Sequence, residues 1–144
     1  MKATELMIGN WVKIKGDYGK PLKITTIDDT YNSINYFDGD AEGELTLQLN
    51  EIEPIPLTPE ILGKNGWKHE FDKKDYMVKY NLGEEGKNCW MMWAIKEHNL
   101  DIQRQDKKLD VYNLKVSKVA IPCDYVHQLQ HALRLCGIEK EIEL

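Results

Sequence analysis

The stretch at residues 53–67, EPIPLTPEILGKNGW, separates two kinds of pattern in this chain. Before it lie short alternating runs that are typical of strands, and after it strand and helix signals are mixed. Pro54 and Pro56 keep the backbone extended and, because they lack an N–H donor, suit the edge of a sheet rather than its centre. The stretch therefore predicts that a β-rich region ends at Leu57.

The same stretch predicts a short helix. Thr58 can cap the first turn with its hydroxyl, and Pro59 suits the first helical position, where no N–H is needed. Gly66 is a natural left-handed stop, and Trp67 is placed to pack back on the helix. The second region therefore opens with a helix of about two turns.

Four runs before residue 53 have the composition of strands. In the first, Val12 and Ile14 alternate with outward-facing neighbours, as in a strand with one buried face. The runs are WVKIK at 11–15, LKITTID at 22–28, YNSINYF at 31–37 and LTLQL at 45–49. Four or five short strands within about 50 residues predict an SH3-like small β-barrel over residues 1–57.

Residues 58–144 predict a small α+β unit with antiparallel strands. The strand runs are WKHEF at 67–71, YMVKYNL at 76–82, CWMMWAI at 89–95, LDIQRQ at 100–105 and VYNLKVS at 111–117. A second helix begins at Asp124 and stops at Gly137, and the acidic IEKEIEL sequence that follows is expected to trail away from the fold. The whole chain is thus predicted to be α+β: an N-terminal SH3-like barrel packed on a small antiparallel sheet with two helices.

The run CWMMWAI is apolar on both faces of a strand. Met91 and Trp93 share one face, and Trp90 and Met92 share the other. Such a strand has to be covered twice. We expect both covers to come from this chain, and a second subunit is the alternative.

Composition excludes several classes of protein. The chain has 144 residues, 42% of them hydrophobic, which is enough for a folded domain. It has no run near the roughly 20 apolar residues of a membrane span, and its N-terminal sequence lacks a signal-peptide pattern. Three cysteines without C-x-x-C spacing suit a reducing cytoplasm. A net charge of -5 disfavours generic binding to a phosphate backbone.

His127 and His131 stand four residues apart in the second helix, the spacing of a zinc-binding pair. The periodicity places the leucines on the core side and both histidines on the opposite, exposed side. Gln128 stands where a zinc protease has its catalytic Glu, and only Cys123 is a local third ligand. An exposed helical face is the preferred interpretation, so we expect no metal there.

The acidic loop at residues 38–44, DGDAEGE, resembles the opening of a calcium-binding EF-hand loop. Asp38, Asp40 and Glu42 hold ligand positions 1, 3 and 5, and Gly43 follows. Position 12, however, is Leu49 instead of a bidentate Glu, and the flanks read as strands. A solvated hairpin tip is the preferred interpretation, and the sequence predicts no cofactor.

The three cysteines are the remaining candidates for nucleophiles. Cys89 lies in an apolar strand and Cys136 on the apolar side of the helix, where free cysteines are usually inert. Cys123 is expected to be the most exposed and comes near His127 in sequence. A pair without an orienting third group or an oxyanion donor is weak support for catalysis, so we expect no enzyme.

One surface combines aromatic and basic side chains. It comprises Trp11, Lys13, Lys15, Tyr18 and Lys23. Such a mixture suits single-stranded nucleic acid or an acidic peptide. Lysines that guard a sheet edge against aggregation are the simpler explanation, and both interpretations stay open.

Three phrases together resemble a group of short uncharacterised proteins from gut-anaerobe genomes, their phages and mobile elements. The phrases are MKATELMIGNWV at 1–12, EPIPLTPEIL with NGW at 53–67, and YVHQLQHAL at 125–133. The resemblance covers about a third of the chain and implies no catalytic residue. It implies an intracellular protein related to phages or mobile elements.

These observations favour a non-catalytic cytoplasmic binding or accessory protein. Its expected partner is a macromolecule, most simply a protein, with no membrane contact and an oligomeric state that the sequence leaves open. The alternative is a defence antagonist that binds a small molecule or nucleotide. An enzyme of unspecified reaction comes third.

Overall fold

The chain is α+β, as predicted: the computed structural model has two five-stranded antiparallel sheets and two α-helices in the part that it describes. The chain divides into two compact units, which are described separately. One comprises Met1–Pro56 with Tyr125–His127, and the other Leu57–Asp124 with Gln128–Leu144. The described residues are 1–16, 20–38, 43–70, 74–82, 88–96, 98–106 and 119–144.

The first unit is built on one antiparallel sheet whose strands follow the predicted runs. A 3-10 helix, Ala3–Glu5, precedes strands β1 (Trp11–Ile14), β2 (Pro21–Asp28), β3 (Ser33–Phe37), β4 (Glu44–Gln48) and β5 (Ile52–Pro54). Their order across the sheet is β4-β3-β2-β1-β5. Pro54 lies in the edge strand β5, the position that its missing N–H predicts.

Strand β2 is shared by two ladders. Its first residues pair with β1 and its later residues with β3, and the register shifts between Ile24 and Thr26. A shift of this kind bends the strand and increases its twist. Strands β4 and β5 form no ladder with each other among the described residues, so the SH3-like small β-barrel stays a prediction.

Alternation along the strands builds the core of the first unit. Residues on the inner face are apolar and those on the outer face are polar or half-exposed, the pattern of a sheet with one buried side. The buried members are Leu6, Val12, Leu22, Ile24, Ile34, Tyr36, Leu49 and Ile52. Each such side chain contributes roughly 1.5–3 kcal/mol through burial.

The second unit contains helix α1 (Pro59–Lys64) and strands β6 (Lys68–His69), β7 (Tyr76–Leu82), β8 (Asn88–Lys96), β9 (Asn99–Asp106) and β10 (Val119–Pro122). The sheet order is β10-β9-β8-β7-β6. On β8, Met92 and Ala94 are fully buried, whereas Trp93 and Ile95 are half-buried. The predicted strand at 111–117 lies outside the described residues.

Helix α1 has the predicted ends. Thr58 Oγ1 accepts a hydrogen bond from the Ile61 N–H at 3.4 Å. At the other end Gly66 has φ +85, and the Trp67 N–H donates to the Leu62 carbonyl at 3.0 Å. This is a Schellman-type ending, and the Trp67 side chain that follows it is buried.

Helix α2 (Val126–Leu135) corrects one prediction. Leu129 and Leu133 are buried as expected, but His127, which was expected on the exposed side, is only 5% exposed, and His131 is half-buried. Val126 and His127, at the start of the helix, belong to the first unit. The helix start is tied to the end of the β-region, because Val126 N–H donates to the Ile55 carbonyl at 3.0 Å. The His127 ring also stacks on Tyr125 at 5.8 Å. Periodicity alone cannot reveal such cover.

The C-terminal segment corrects another prediction, because it does not trail away. Asn65, which is 3% exposed, holds it with its side-chain amide. The amide oxygen accepts from the Glu143 N–H at 2.9 Å, and Nδ2 donates to the Glu143 carbonyl at 2.7 Å. Nδ2 also donates to the Ile61 carbonyl at 2.8 Å. The end of α1 and the C-terminal segment therefore share one buried polar side chain.

Packing reinforces this attachment. Ile138 and Ile142, four residues apart, are 5% and 2% exposed. Lys140 Nζ donates to the Asn65 carbonyl and lies 5.7 Å from the centre of the Tyr80 ring. Burial raises the pKa of Tyr80 to about 12, while the neighbouring Trp67 N–H acts in the opposite direction. Three consecutive charged residues therefore separate two isoleucines that are both buried.

Asn65→Ala should lower the free energy of unfolding by about 1–3 kcal/mol, because it leaves backbone groups of Glu143 without their partners. Chemical denaturation measures the loss, and hydrogen exchange should accelerate at the Glu143 amide. Asn50→Ala, at an exposed asparagine, is the matched control. Equal stability of the two variants would contradict the role given to Asn65.

His131 should make stability depend on pH. Burial, and secondarily the charge of Arg134, lowers the pKa of His131 from its usual 6.5. The unfolded chain therefore binds a proton more readily, and stability should fall as the pH drops below about 6.5. His131→Gln should flatten this dependence in urea titrations between about pH 5 and 7. An unchanged slope in the variant would show that other groups cause it.

Candidate binding surface

A tight turn at residues 7–10 lies immediately before β1. The Met7 N–H donates to Asn10 Oδ1 at 2.7 Å, and the Asn10 N–H donates back to the Met7 carbonyl at 3.0 Å. The Gly9 N–H donates to the Ile24 carbonyl at 2.7 Å, and the Ile24 N–H donates to the Asn10 carbonyl at 3.0 Å. Asn10 is fully buried and Gly9 has φ +84. The turn is therefore fixed to β2 by hydrogen bonds.

This turn exposes two apolar side chains. Met7 is 40% exposed and Ile8 is 60% exposed. Single exposed apolar residues are common on proteins, whereas contiguous exposed apolar patches mark interaction sites. The sequence patterns did not single out Met7 and Ile8 as candidate binding residues. The signal was a Gly-Asn pair, which favours a turn, directly after two apolar residues.

Trp11 follows the turn and begins the surface that the sequence predicted. It is half-buried and lies directly across from Lys23 on β2. Lys13 is two residues further along the same face of β1. The structure therefore brings Trp11, Lys13 and Lys23 together on the outer face of the sheet. Tyr18 lies outside the described residues.

Two lysines of the predicted surface already interact with oxygen atoms of the first unit. Lys13 Nζ lies 2.9 Å from Glu53 Oε1, its cross-strand neighbour. Lys15 Nζ donates to the Asn50 carbonyl at 2.5 Å. The ion pair is partly exposed, so its contribution to stability is small. It does, however, place a carboxylate among the cations, which lowers the positive potential that a nucleic acid would meet.

The sequence offered two candidates for metal binding, the histidine pair of α2 and the acidic loop at residues 38–44. Across the described part of the chain, no group of three or more His, Cys, Asp or Glu side chains could hold a metal ion. Asp38 is paired with Lys20 at 2.6 Å, and Glu44 accepts from Asn35 at 3.2 Å. Residues 39–42 of the acidic loop lie outside the described residues.

The prediction that Cys123 is the most exposed cysteine is wrong. Its side chain is 3% exposed, and burial, with a smaller effect of the Asp124 charge, raises its pKa to about 12. Cys136 is half-buried, and burial raises its pKa as well. Thiols of this kind are poor nucleophiles at neutral pH because little thiolate is present. The prediction for the Cys89 side chain lies outside what the structure describes.

The second unit has an open depression of about 480 Å³ at the end of α2. Acidic and basic side chains alternate around it, and Lys140 already donates to a backbone carbonyl. The lining residues are Arg134, Gly137, Ile138, Glu139, Lys140 and Glu141. This open depression, lined by both acidic and basic side chains, differs from the enclosed apolar pockets that bind small ligands.

Cys136 and Cys123 should be alkylated at different rates. In the folded protein at about pH 8, iodoacetamide should modify Cys136 faster than Cys123, because Cys123 is more buried and has pKa about 12. Peptide mass spectrometry over time measures both rates, with unfolded protein in urea as the reference. Faster modification of Cys123 would contradict its placement in the core.

No helix in the described ranges is long and apolar enough to cross a membrane. No protein-family model, curated protein or solved structure matches this chain. The resemblance to short proteins of phages and mobile elements therefore stays a prediction.

Proposed function

We propose that the chain is a non-catalytic binding protein whose first unit docks a segment of another protein. The docking site is the turn surface, which we define as Met7, Ile8, Trp11 and Lys23. The observation that carries the proposal is the buried Asn10, whose hydrogen bonds hold Met7 and Ile8 in solvent. A surface that is already rigid loses little conformational entropy when a partner binds.

The composition of the turn surface indicates the chemistry of the partner. Methionine, isoleucine and tryptophan side chains favour apolar and aromatic groups. Lys23, directly across from Trp11, adds a positive charge that suits a carboxylate. Glu53 at Lys13 disfavours a polyanion. We therefore expect a protein segment with apolar side chains next to Asp or Glu, instead of a nucleic acid.

We further propose that the first sheet is an SH3-like barrel that stays open between its outermost strands, β4 and β5. The order β4-β3-β2-β1-β5, with β5 antiparallel to β1, supports this assignment. The register shift in β2 supports it as well, because a shift of this kind bends a strand that pairs with β1 at one end and with β3 at the other. A cytoplasmic location belongs to the same proposal, supported by the free thiols of Cys123 and Cys136.

The proposal predicts which substitutions abolish binding. Peptides selected from a random displayed library against the whole chain should be apolar and acidic, and should shift the amide signals of Met7, Ile8 and Trp11 in two-dimensional NMR. Ile8→Asp should lower the affinity for these peptides by at least about tenfold, because it removes an apolar contact and repels acidic residues. Trp11→Ala should do the same.

Tyr31→Asp is the matched control. Tyr31 is an exposed side chain, 73% accessible, in the turn between β2 and β3, where its N–H donates to Asp28 Oδ1 at 3.1 Å. The control should bind the selected peptides with unchanged affinity. Selected peptides that map to other residues, or that bind Ile8→Asp as tightly as the unsubstituted chain, would refute the proposed site.

A further inference from the structure

Strand β4 differs from the other outermost strands of the two sheets. Edge strands are usually protected from pairing by proline, lysine, short length or a bulge. Strand β5 ends at Pro54, β10 ends at Pro122, and β6 has two residues. Strand β4 has five residues, ELTLQ, with a regular register and none of these protections.

The register shows which backbone groups of β4 point away from the sheet. The Leu49 N–H donates to the Asn32 carbonyl at 2.9 Å. Hydrogen-bonded and non-hydrogen-bonded pairs alternate in an antiparallel ladder, so Leu47 and Leu45 bond to β3, and Thr46 directs its N–H and C=O outward. Gln48 is occupied instead, because its N–H donates to Glu51 Oε2 at 2.7 Å and its carbonyl accepts from the Glu51 N–H.

We propose that β4 pairs with β4 of a second copy of this chain, antiparallel about a twofold axis at Thr46. The sequence ELTLQ is self-complementary in this arrangement. Leu45 of each copy lies opposite Leu47 of the other, and Glu44 lies opposite Gln48, so no like charges meet. The two outward-facing Thr46 backbones exchange a pair of hydrogen bonds across the axis.

The leucine side chains along this edge are apolar and partly exposed to water, so pairing with a second copy would bury them. Leu45 is 40% exposed and Leu47 is half-buried, although both lie on the apolar face of the sheet. Pairing extends that face by another strand and covers both leucines. A single strand pair is a small interface, so the dimer is weak and depends on concentration. The interface is distinct from the turn surface, and the two proposals stand independently.

Sedimentation velocity of the whole chain from ~1 µM to ~1 mM tests the pairing, since that range covers weak interfaces. The unsubstituted chain should shift from monomer to dimer across it. Thr46→Lys places two like charges opposite each other, and Thr46→Pro removes the N–H that faces the second copy. Each should weaken dimerisation by at least about tenfold, while circular dichroism shows a retained fold.

Thr26→Lys is the matched control, because Thr26 is exposed and belongs to the same cross-strand row as Asn35 and Thr46, but on an inner strand. It should leave dimerisation unchanged. A chain that stays monomeric at ~1 mM would overturn the proposal. A dimer that Thr46→Lys does not weaken, or that Thr26→Lys weakens equally, would overturn it too. If Thr46→Pro unfolds, the comparison of the two lysine variants decides.

Discussion

Irregular backbone that is removed from water has to find hydrogen-bond partners outside any helix or sheet, and a buried asparagine side chain meets this requirement in each unit. In the first unit, Asn10 closes the turn before β1 by accepting the Met7 N–H. In the second, Asn65 binds both backbone groups of Glu143. Asparagine suits these places because one side chain carries both a donor and an acceptor. The same residue type therefore fixes one segment outside the sheet in each unit.

The consequences for function differ between the two units. Around Asn65, the hydrogen bonds allow Ile138 and Ile142 to reach the core, so the segment contributes to stability. Around Asn10, they do the opposite for Met7 and Ile8, which stay in solvent. An exposed apolar pair does not stabilise the fold through burial, and we infer that these two side chains serve to bind a partner. For this reason we propose the first unit, and not the second, as the one that binds a partner.

The sequence predicted those features whose signals are local. The ends of α1 follow from Thr58 and Gly66, and most strands follow from alternation within a few residues. It failed where distant residues decide. His127 is buried at the start of α2, where the Val126 N–H donates to the distant Ile55 carbonyl. The C-terminal segment is held by Asn65, 78 residues before Glu143. A helical period cannot show how many sides of a helix are covered by other residues. The acidic composition of residues 138–144 suggested an exposed tail, although Ile138 and Ile142 are buried.

The central claim is that the turn before β1 is rigid in the free protein and presents its apolar side chains ready to bind. Amide hydrogen exchange followed by NMR tests this most directly, at Met7 and Gly9. The account predicts slow exchange at both amides, comparable with Ile24 in the sheet, because each donates to a partner within the unit. Exchange at the rate of an unstructured peptide would contradict it, since a turn that opens freely would not hold Met7 and Ile8 in place.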